Sequence, residues 1–557
     1  MDGPGSEKRH YLRRLESLEQ ERKRGWESHW RDLARHFMPR RSRFLNAGDR
    51  TNEGDRKNKL EAGVGIRARR TLSSGMLSGL TSPARPWFSL TVQDEELAQN
   101  QTVKKWLHVV YERMVNVFAR SNFYDQTHLL YDELAVFGTG VMMVEHDDIT
   151  TMRCRTLTVG EFCLDVDSSG RVNTLYRRVR MTARQIMDAW PDTSPDKIKR
   201  MVANDDDQWL EVIHAVEPNP DFREGSLKRN ERRCRDVYLM KDGAFLEESG
   251  DFEFPALCPR WNTTASDIYG SSPAMDALPD CRQLQKMTES GRLALEKEVN
   301  PPLLVAGLES ALNASPGAIN HISNLAQGTH GIQPLYTVRA NLGALDAEKK
   351  ELKAEIEKTF FNDLFMMINN APRQMTAMEV SERTAEKMLL LGPVLDRLRS
   401  ELFQPLIERV YGLMDRAGLV PPPPPELEGQ EIKIEFISVL AQAQKQAGLS
   451  GINNTVAFIA QLAQATQNPD VMDKLNADEA IDEVGEMNGI PPALLHSDEE
   501  VAQMRAERQK AMAEAQGMGE VQQGAETLAT GAKAMKDAGL TPEIMAAMMG
   551  GGGNVPE

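Results

Sequence analysis

The sequence predicts an α+β protein in which helix predominates, and three observations carry that prediction. At 557 residues the chain is far longer than one hydrophobic core can serve, so several domains are expected. Its 41% hydrophobic, 27% charged and 6% aromatic residues describe a folded, helix-leaning chain rather than a disordered or membrane-embedded one. Apolar residues recur at three- and four-residue spacings over long stretches, whereas residues 141–260 alternate around glycine turns.

Taken in order, residues 8–38 read as an amphipathic helix with Leu12, Leu15, Leu18, Trp26, Trp30, Leu33 and Phe37 on one face, closed by Pro39. Arg40, Arg41 and Arg43 follow in a Gly-, Asn- and Asp-rich loop, which suits either a solvated surface or a phosphate contact. A helix over about 60–80 ends in SGLTSPARPWFSL (78–90), where two prolines force an extended chain around Trp87 and Phe88. Another helix covers about 100–120, and the one after SNFY (121–124) leads into ELAVFGTGVMMVE (133–145), which changes from helical to β spacing at its glycines. Strands dominate 141–260, with hairpin turns at Ser168-Ser169-Gly170 and Asp242-Gly243 and a short helix from Thr182 to Trp190. This order contains no βαβ repeat, which excludes a doubly wound nucleotide-binding sheet.

In YGSSPAMDALPD (269–280), Ser272 suits an N-cap, Pro273 the first helical position and Asp276 the first turn. The helix that starts there runs to about Val299, a rod of about 40 Å, before Pro301 and Pro302 stop it. Residues 301–340 form a punctuated excursion with short apolar runs. A second rod is expected over 344–369, striped by Leu345, Leu352, Ile356, Phe360, Leu364 and Met367. Pro372 then interrupts the helix, and Thr376 with Glu379 forms a capping box that restarts it. That helix is expected to kink at Gly392-Pro393 and to reach Ala417. Pro421 to Pro425 read as a polyproline II spacer, 432–437 as a strand, and 440–466, 469–487 and 498–516 as helices. The tail from 517 is expected to be mobile unless oligomerisation orders it.

Charge and motifs narrow the function. The formal charge is −16, and it is uneven: residues 1–90 hold 20 Lys/Arg against 11 Asp/Glu, and residues 421–557 hold 8 against 21. Such a chain is a poor general binder of nucleic acid. Cys154, Cys163, Cys234, Cys258 and Cys281 are odd in number and lack CxxC spacing, so they read as free thiols, not a disulfide framework or zinc site. No P-loop, GxSxG elbow or HExxH pair occurs. Gly63-Val64-Gly65-Ile66-Arg67-Ala68 fits GxGxxA, yet no strand precedes it. Asp147-Asp148 and Asp205-Asp206-Asp207 are consecutive acids, which usually sit solvated in a loop rather than hold a metal. No catalytic, cofactor or metal site is expected. No apolar run suits a membrane span or a secretory signal, which points to a cytoplasm as the place of assembly.

Several segments together resemble the portal, or head-to-tail connector, proteins of short-tailed bacteriophages over about 20–500. They are Trp26 and Trp30 before Pro39; SGLTSPARPWFSL; SNFY; the FGTG of 137–140; YGSSPAMDALPD; TAMEVSER (376–383); and LGPVLDRLRSELFQPLIERV (391–410). The resemblance implies a non-enzymatic ring of about twelve subunits at one capsid vertex of the virion. Weakly contacted double-stranded DNA would pass through it, and terminase, a tail adaptor, capsid and scaffolding proteins would be its partners. It also implies a wing (1–271), a first stem helix (272–299), a clip (300–341), a second stem helix (342–370), a tunnel loop with a kinked wing helix (371–420), a crown (421–516) and a flexible or barrel-like tail (517–557). On that map Arg373 and Gln374 beside the tunnel restart are candidates for transient DNA contact, or else for a stabilising surface role. His321 and His330, in the clip, are candidates for terminase or adaptor contact, or else plain surface residues. The alternative is another capsid-associated scaffold or an ejected internal virion protein without a channel.

Overall fold

The computed structural model describes residues 4–39, 60–94, 97–98, 100–204, 208–264, 267–306, 312–322, 332–336, 341–369, 391–427 and 432–436, and shorter stretches between 455 and 533. The chain divides into two compact units, Met1–Gly448 and Leu449–Glu557. The α+β class holds: helices and antiparallel sheets both contribute to the larger unit.

The expected first helix is two, α1 (Pro4–Gly25) and α2 (Glu27–Phe37). They part at Gly25 and Trp26 because each half serves a different core. Tyr11, Leu15 and Leu18 of α1 pack on a sheet described below, while Trp30, Leu33 and Phe37 of α2 enter the main core. Next come α3 (Val64–Leu80) and β1 (Phe88–Val92), then α4 (Gln101–Arg120), whose Asn100 cap accepts from the Thr102 and Val103 amides, and α5 (Phe123–Phe137). Trp87 anchors this region, its ring 5.5 Å from Phe118 and 6.0 Å from Phe123. Of the GxGxxA glycines, Gly65 has a packing role. A Cβ on Gly65 would lie 2.8 Å from the Phe37 ring, so glycine is what lets α3 approach α2.

At the FGTG segment α5 ends on Gly138 in the left-handed region, φ +72°, and the chain becomes β2 (Val141–Asp147), paired with β3 (Thr151–Leu157). A Cβ on Gly138 would overlap the Gly270 carbonyl, and a Cβ on Gly270 would overlap the Gly138 carbonyl. The two glycines of FGTG and YGSS thus form one backbone-to-backbone contact.

A five-stranded antiparallel sheet follows in consecutive order: β4 (Phe162–Val166), β5 (Val172–Thr182), β6 (Trp209–Pro218), β7 (Cys234–Met240) and β8 (Phe245–Asp251). Gly170 and Gly243, both at positive φ, turn the two hairpins read from the sequence. One face carries α1; the other is partly covered by α6 (Ala183–Ala189) and by α7 (Asp196–Ala203), a helix the sequence reading omitted. The short β9 (Ala256–Leu257) joins β2.

The first rod is α8 (Pro273–Val299), capped by Ser272, which accepts from the Met275 amide. The excursion after it holds a small sheet, with β10 (Leu303–Ala306) between β11 (Ile319–Ile322) and β12 (Ile332–Pro334). The second rod is shorter than expected. Helix α9 (Leu342–Thr359) stops at Phe360, Phe361 takes φ +54°, and α10 (Asn362–Asn369) starts anew. Two neighbouring phenylalanines cause the break, since Phe360 packs 5.5 Å from Phe37 while Phe361 turns to Trp261 at 6.2 Å.

The capping box of Thr376 and Glu379 lies outside the described residues. From Gly392 the chain forms α11 (Gly392–Leu398), a π-helical turn at Arg399–Phe403 and α12 (Gln404–Arg416). Gly392-Pro393 opens the described helix, the residues before the expected kink lying outside the described ones, and a separate irregularity lies further on. Pro405 has no N–H for an α bond to the Glu401 carbonyl, and the Gln404 amide donates back to Arg399 instead. The chain then runs over α4: Arg113 donates to the Leu419 carbonyl at 2.5 Å, and the Trp106 indole donates to Pro421 and Pro422. The last described element of this unit is β13 (Ile432–Phe436), antiparallel to β1.

In the second unit α13 (Ala477–Asn488) and a helical stretch at 500–512 are joined by Arg505, which meets both oxygens of Asp478 at 2.7 Å.

Candidate interaction surfaces

Side chains of α8 are well buried only in its first half, from Pro273 to Leu284. Beyond that its supports are α9, admitted by Gly291, where a Cβ would lie 2.7 Å from the Leu345 methyl, and Glu61 and Ala62, which bond Gln285 and Arg292. Among the described residues the remaining surface of the arm stays open. Leu295 is 50% and Val299 78% exposed, and at the tip sheet Ile319 is 58% and Ile332 65% exposed. Single exposed apolar residues need no explanation, but several of them on one helix and the small sheet that follows it make a candidate contact surface.

His321, on β11 of the tip sheet, is exposed and registers opposite Val305. His330, Arg373 and Gln374 lie outside the described residues, as do Arg40, Arg41, Arg43 and the Asp205–Asp207 run. Asp147 is a turn residue: its carboxylate accepts from both the Thr150 amide and hydroxyl at 2.7 Å, bonds that hold it below the usual carboxylate range. Asp148 is fully open to solvent.

The start of the rod is fixed by a clamp that sequence reading missed, since its members lie 141 positions apart. Glu401, in the π turn, accepts from the Arg260 backbone amide at 2.9 Å, from its Nε at 3.3 Å and from its Nη2 at 2.6 Å. The same buried guanidinium donates to the Gly170 carbonyl at 2.8 Å, so one arginine joins a hairpin turn, the approach to α8 and the helix α11–α12. Ser272, besides capping α8, donates its hydroxyl to the Val136 carbonyl at 2.7 Å.

A second network lies within the five-stranded sheet. His214 is buried, with Nδ1 2.8 Å from Arg177 Nε and Nε2 2.8 Å from Asp236 Oδ1. Arginine can only donate, so Nδ1 accepts and the ring proton sits on Nε2, facing Asp236. Burial holds the His214 pKa below its usual value, the Asp236 charge opposing and Arg177 adding to the effect. Tyr238 stacks on the ring at 4.1 Å and Glu145 closes on Arg177 at 3.6 Å.

All five cysteines are free and buried, as expected. Burial raises each thiol pKa, to about 12 at Cys154, Cys234 and Cys281 and about 11 at Cys163, which suits packing and not nucleophilic chemistry. Among the described residues no group of three His, Cys, Asp or Glu is placed to hold a metal, and no helix is long and apolar enough to cross a membrane.

The family model described as bacteriophage head to tail connecting protein matches residues 8–495. The chain belongs to this family. This connector-family chain is 39% identical over 536 residues to the portal protein of Salmonella phage epsilon15, covering 94% of this chain and 95% of that one. It is 38% identical over 537 residues to the probable portal protein of Bordetella phage BPP-1, with the same coverage. Among solved structures, a chain titled as the neck of an empty GTA particle computed with C6 symmetry overlays at a TM-score of 0.35 and 12% identity, covering 71% of this chain and 86% of that chain. That overlay is too slight to support an argument. In the connector chain, the exposed arm and tip sheet and the Arg260–Glu401 clamp are the features that bear on a structural role.

Proposed function

We propose that this chain is the structural subunit of a ring of about twelve copies at one capsid vertex, surrounding a channel for genome packaging and ejection. The observation that carries the proposal is the half-covered arm of α8 and α9 with its open apolar tip. A rod with one supported face gains most when identical rods stand beside it, and a closed ring supplies such neighbours to every copy. In this reading α8 and α9 are stem helices and 300–341 is the clip, which presents His321 and His330 to terminase and then to a tail adaptor. Residues 371–420 give the tunnel loop and kinked helix, with Arg373 and Gln374 in transient contact with DNA, and 421–516 form the crown. An acidic subunit suits a channel through which DNA must slide, since many phosphate contacts would hold it in place.

The test is native mass spectrometry of the purified chain with averaged electron images. Twelve copies of 62.3 kDa give about 750 kDa and a central hole. Truncation of 300–341 should leave a ring that no longer binds terminase. A monomer or dimer at all concentrations and salts would refute the proposal.

A further inference from the structure

The face of the five-stranded sheet opposite α1 carries a line of side chains that ends on a different sheet. Trp190, just after α6, stacks on Tyr238 with ring centres 4.9 Å apart and donates its indole proton to Glu247 at 2.7 Å. Tyr238 lies flat on His214, with 5° between the ring planes. Both neighbours of His214 stand directly opposite it in the ladder, Tyr238 on β7 and Arg177 on β5. Arg177 then reaches out of the sheet toward Glu145 on β2. The side chains of His214 and Arg177 are 0% and 5% exposed, whereas that of Glu145 is at 34%. The charged and titratable groups that face the imidazole are thus Glu145 from β2, Arg177 from β5, and Asp236 and Tyr238 from β7. Beyond Asp236 stands Asp251 on β8, paired with Arg409 at 2.9 Å.

Each hydrogen bond of the ring runs in one direction only. Nδ1 accepts from Arg177 Nε at 2.8 Å, and the Nε2 proton goes to Asp236 at 2.8 Å. A further proton can enter the ring only at Nδ1, where it points at the N–H of Arg177 and sets two cations against each other. One of the two bonds must then break, and the partners are not equal. Asp236 gains, because its bond to an imidazolium is charge-assisted. Arg177 loses its acceptor, and a second anion is at hand: Glu145 Oε1 lies 3.6 Å from Nη2, longer than a hydrogen bond and within a small swing of the guanidinium. The same side chains therefore have two satisfied arrangements that differ by a single proton.

We propose that this line is an acid-operated switch: a proton taken from solvent by His214 Nδ1 drives Arg177 off the sheet face toward Glu145, and the pairing of β5 with β6 loosens where the arginine stood. The switch is a property of the single chain and does not depend on how many copies assemble.

Hydrogen exchange of the full chain, read by mass spectrometry from about pH 7.5 down to about pH 4.5 and divided by the chemical rate of each amide, tests it. Peptides from β5 and β6 should exchange about tenfold faster at the acid end, while those of α4 and α8 stay unchanged. In His214→Gln, whose amide can accept from Arg177 and donate to Asp236 but takes up no proton, the step should vanish. Asp236→Asn keeps an acceptor for the Nε2 proton but removes the charge that favours the imidazolium, so its step should move to lower pH. A purely structural role for these side chains would instead speed exchange in both variants at every pH alike. The proposal is overturned if the unaltered chain shows no step, if exchange rises equally throughout the Met1–Gly448 unit, or if the step persists in His214→Gln, which would assign it to Asp251. Should His214→Gln not fold, Asp236→Asn decides alone, and a step at unchanged or higher pH overturns the proposal.

Discussion

Removing the Glu401 carboxylate by Glu401→Ala should be among the most damaging single changes in the Met1–Gly448 unit. The carboxylate takes three hydrogen bonds from Arg260, one of them from the backbone amide, and Arg397 stands 3.8 Å away. Without it the guanidinium keeps the Gly170 carbonyl but no counter-charge, with its side chain only 6% exposed. Breaking one side of a buried ion pair costs about 3–5 kcal/mol, and the orphaned amide lies within that range. Replacing both partners with apolar groups, Arg260→Met with Glu401→Leu, removes the stranded charge, so the double variant should be less destabilised than the sum of the single variants by at least about 2 kcal/mol. Urea unfolding followed by tryptophan fluorescence measures all four corners of this cycle, and hydrogen exchange locates the loss. Exchange should quicken at the start of α8 and through α11. A cost for Glu401→Ala below about 1 kcal/mol, or additive single effects, would refute the view that this clamp holds the rod in place.

The His214 network should make the same unit sensitive to acid. The folded pKa of His214 is depressed by burial, so the unfolded chain takes up its proton first as pH falls. The stability this ring contributes is complete above about pH 6.5 and is lost as pH falls from there toward the lower folded value, and His214→Gln should flatten that part of the urea midpoint against pH. Gly75→Ala tests the packing of α3 on α10. Its Cβ would lie 2.8 Å from the Phe365 Cβ and overlap the ring, so a loss of about 1–3 kcal/mol in urea unfolding is expected. A neutral or stabilising effect would mean that Phe365 can swing aside.

Features set by neighbours in sequence were legible before any fold was known. Ser272, Pro273 and Asp276 announce the start of α8 within one turn, and Gly170 and Gly243 mark hairpins because each turn needs a positive φ. The features missed depend on distant partners. The stripe Leu345, Leu352, Ile356, Phe360, Leu364 continues across Phe361 with no local sign of a break, because Phe37 and Trp261 draw the two phenylalanines apart. The π turn at Arg399–Phe403, beside Pro405, has no counterpart in the sequence reading. Helix α7 did have local signals, Pro195 at its start and Ile198 on its buried face, but its eight residues are too few for a clear period. At the candidate surfaces the sequence located the tip excursion and His321, whereas the Arg260–Glu401 clamp and the exposed arm required the fold.

Gly138 and Gly270 bear on how this chain can change over generations. Each occupies the space into which the other's side chain would grow, so an alanine at either position meets backbone, not a side chain that could turn away. No ordering of single substitutions leads from this pair to a bulkier one without passing through a clash that only a shift of both strands of chain relieves. The two short motifs, 132 residues apart, are therefore expected to be inherited as a unit: a library with all substitutions at both positions should return glycine at each, and second-site suppressors should alter the lengths of the loops on either side rather than the side chains facing them.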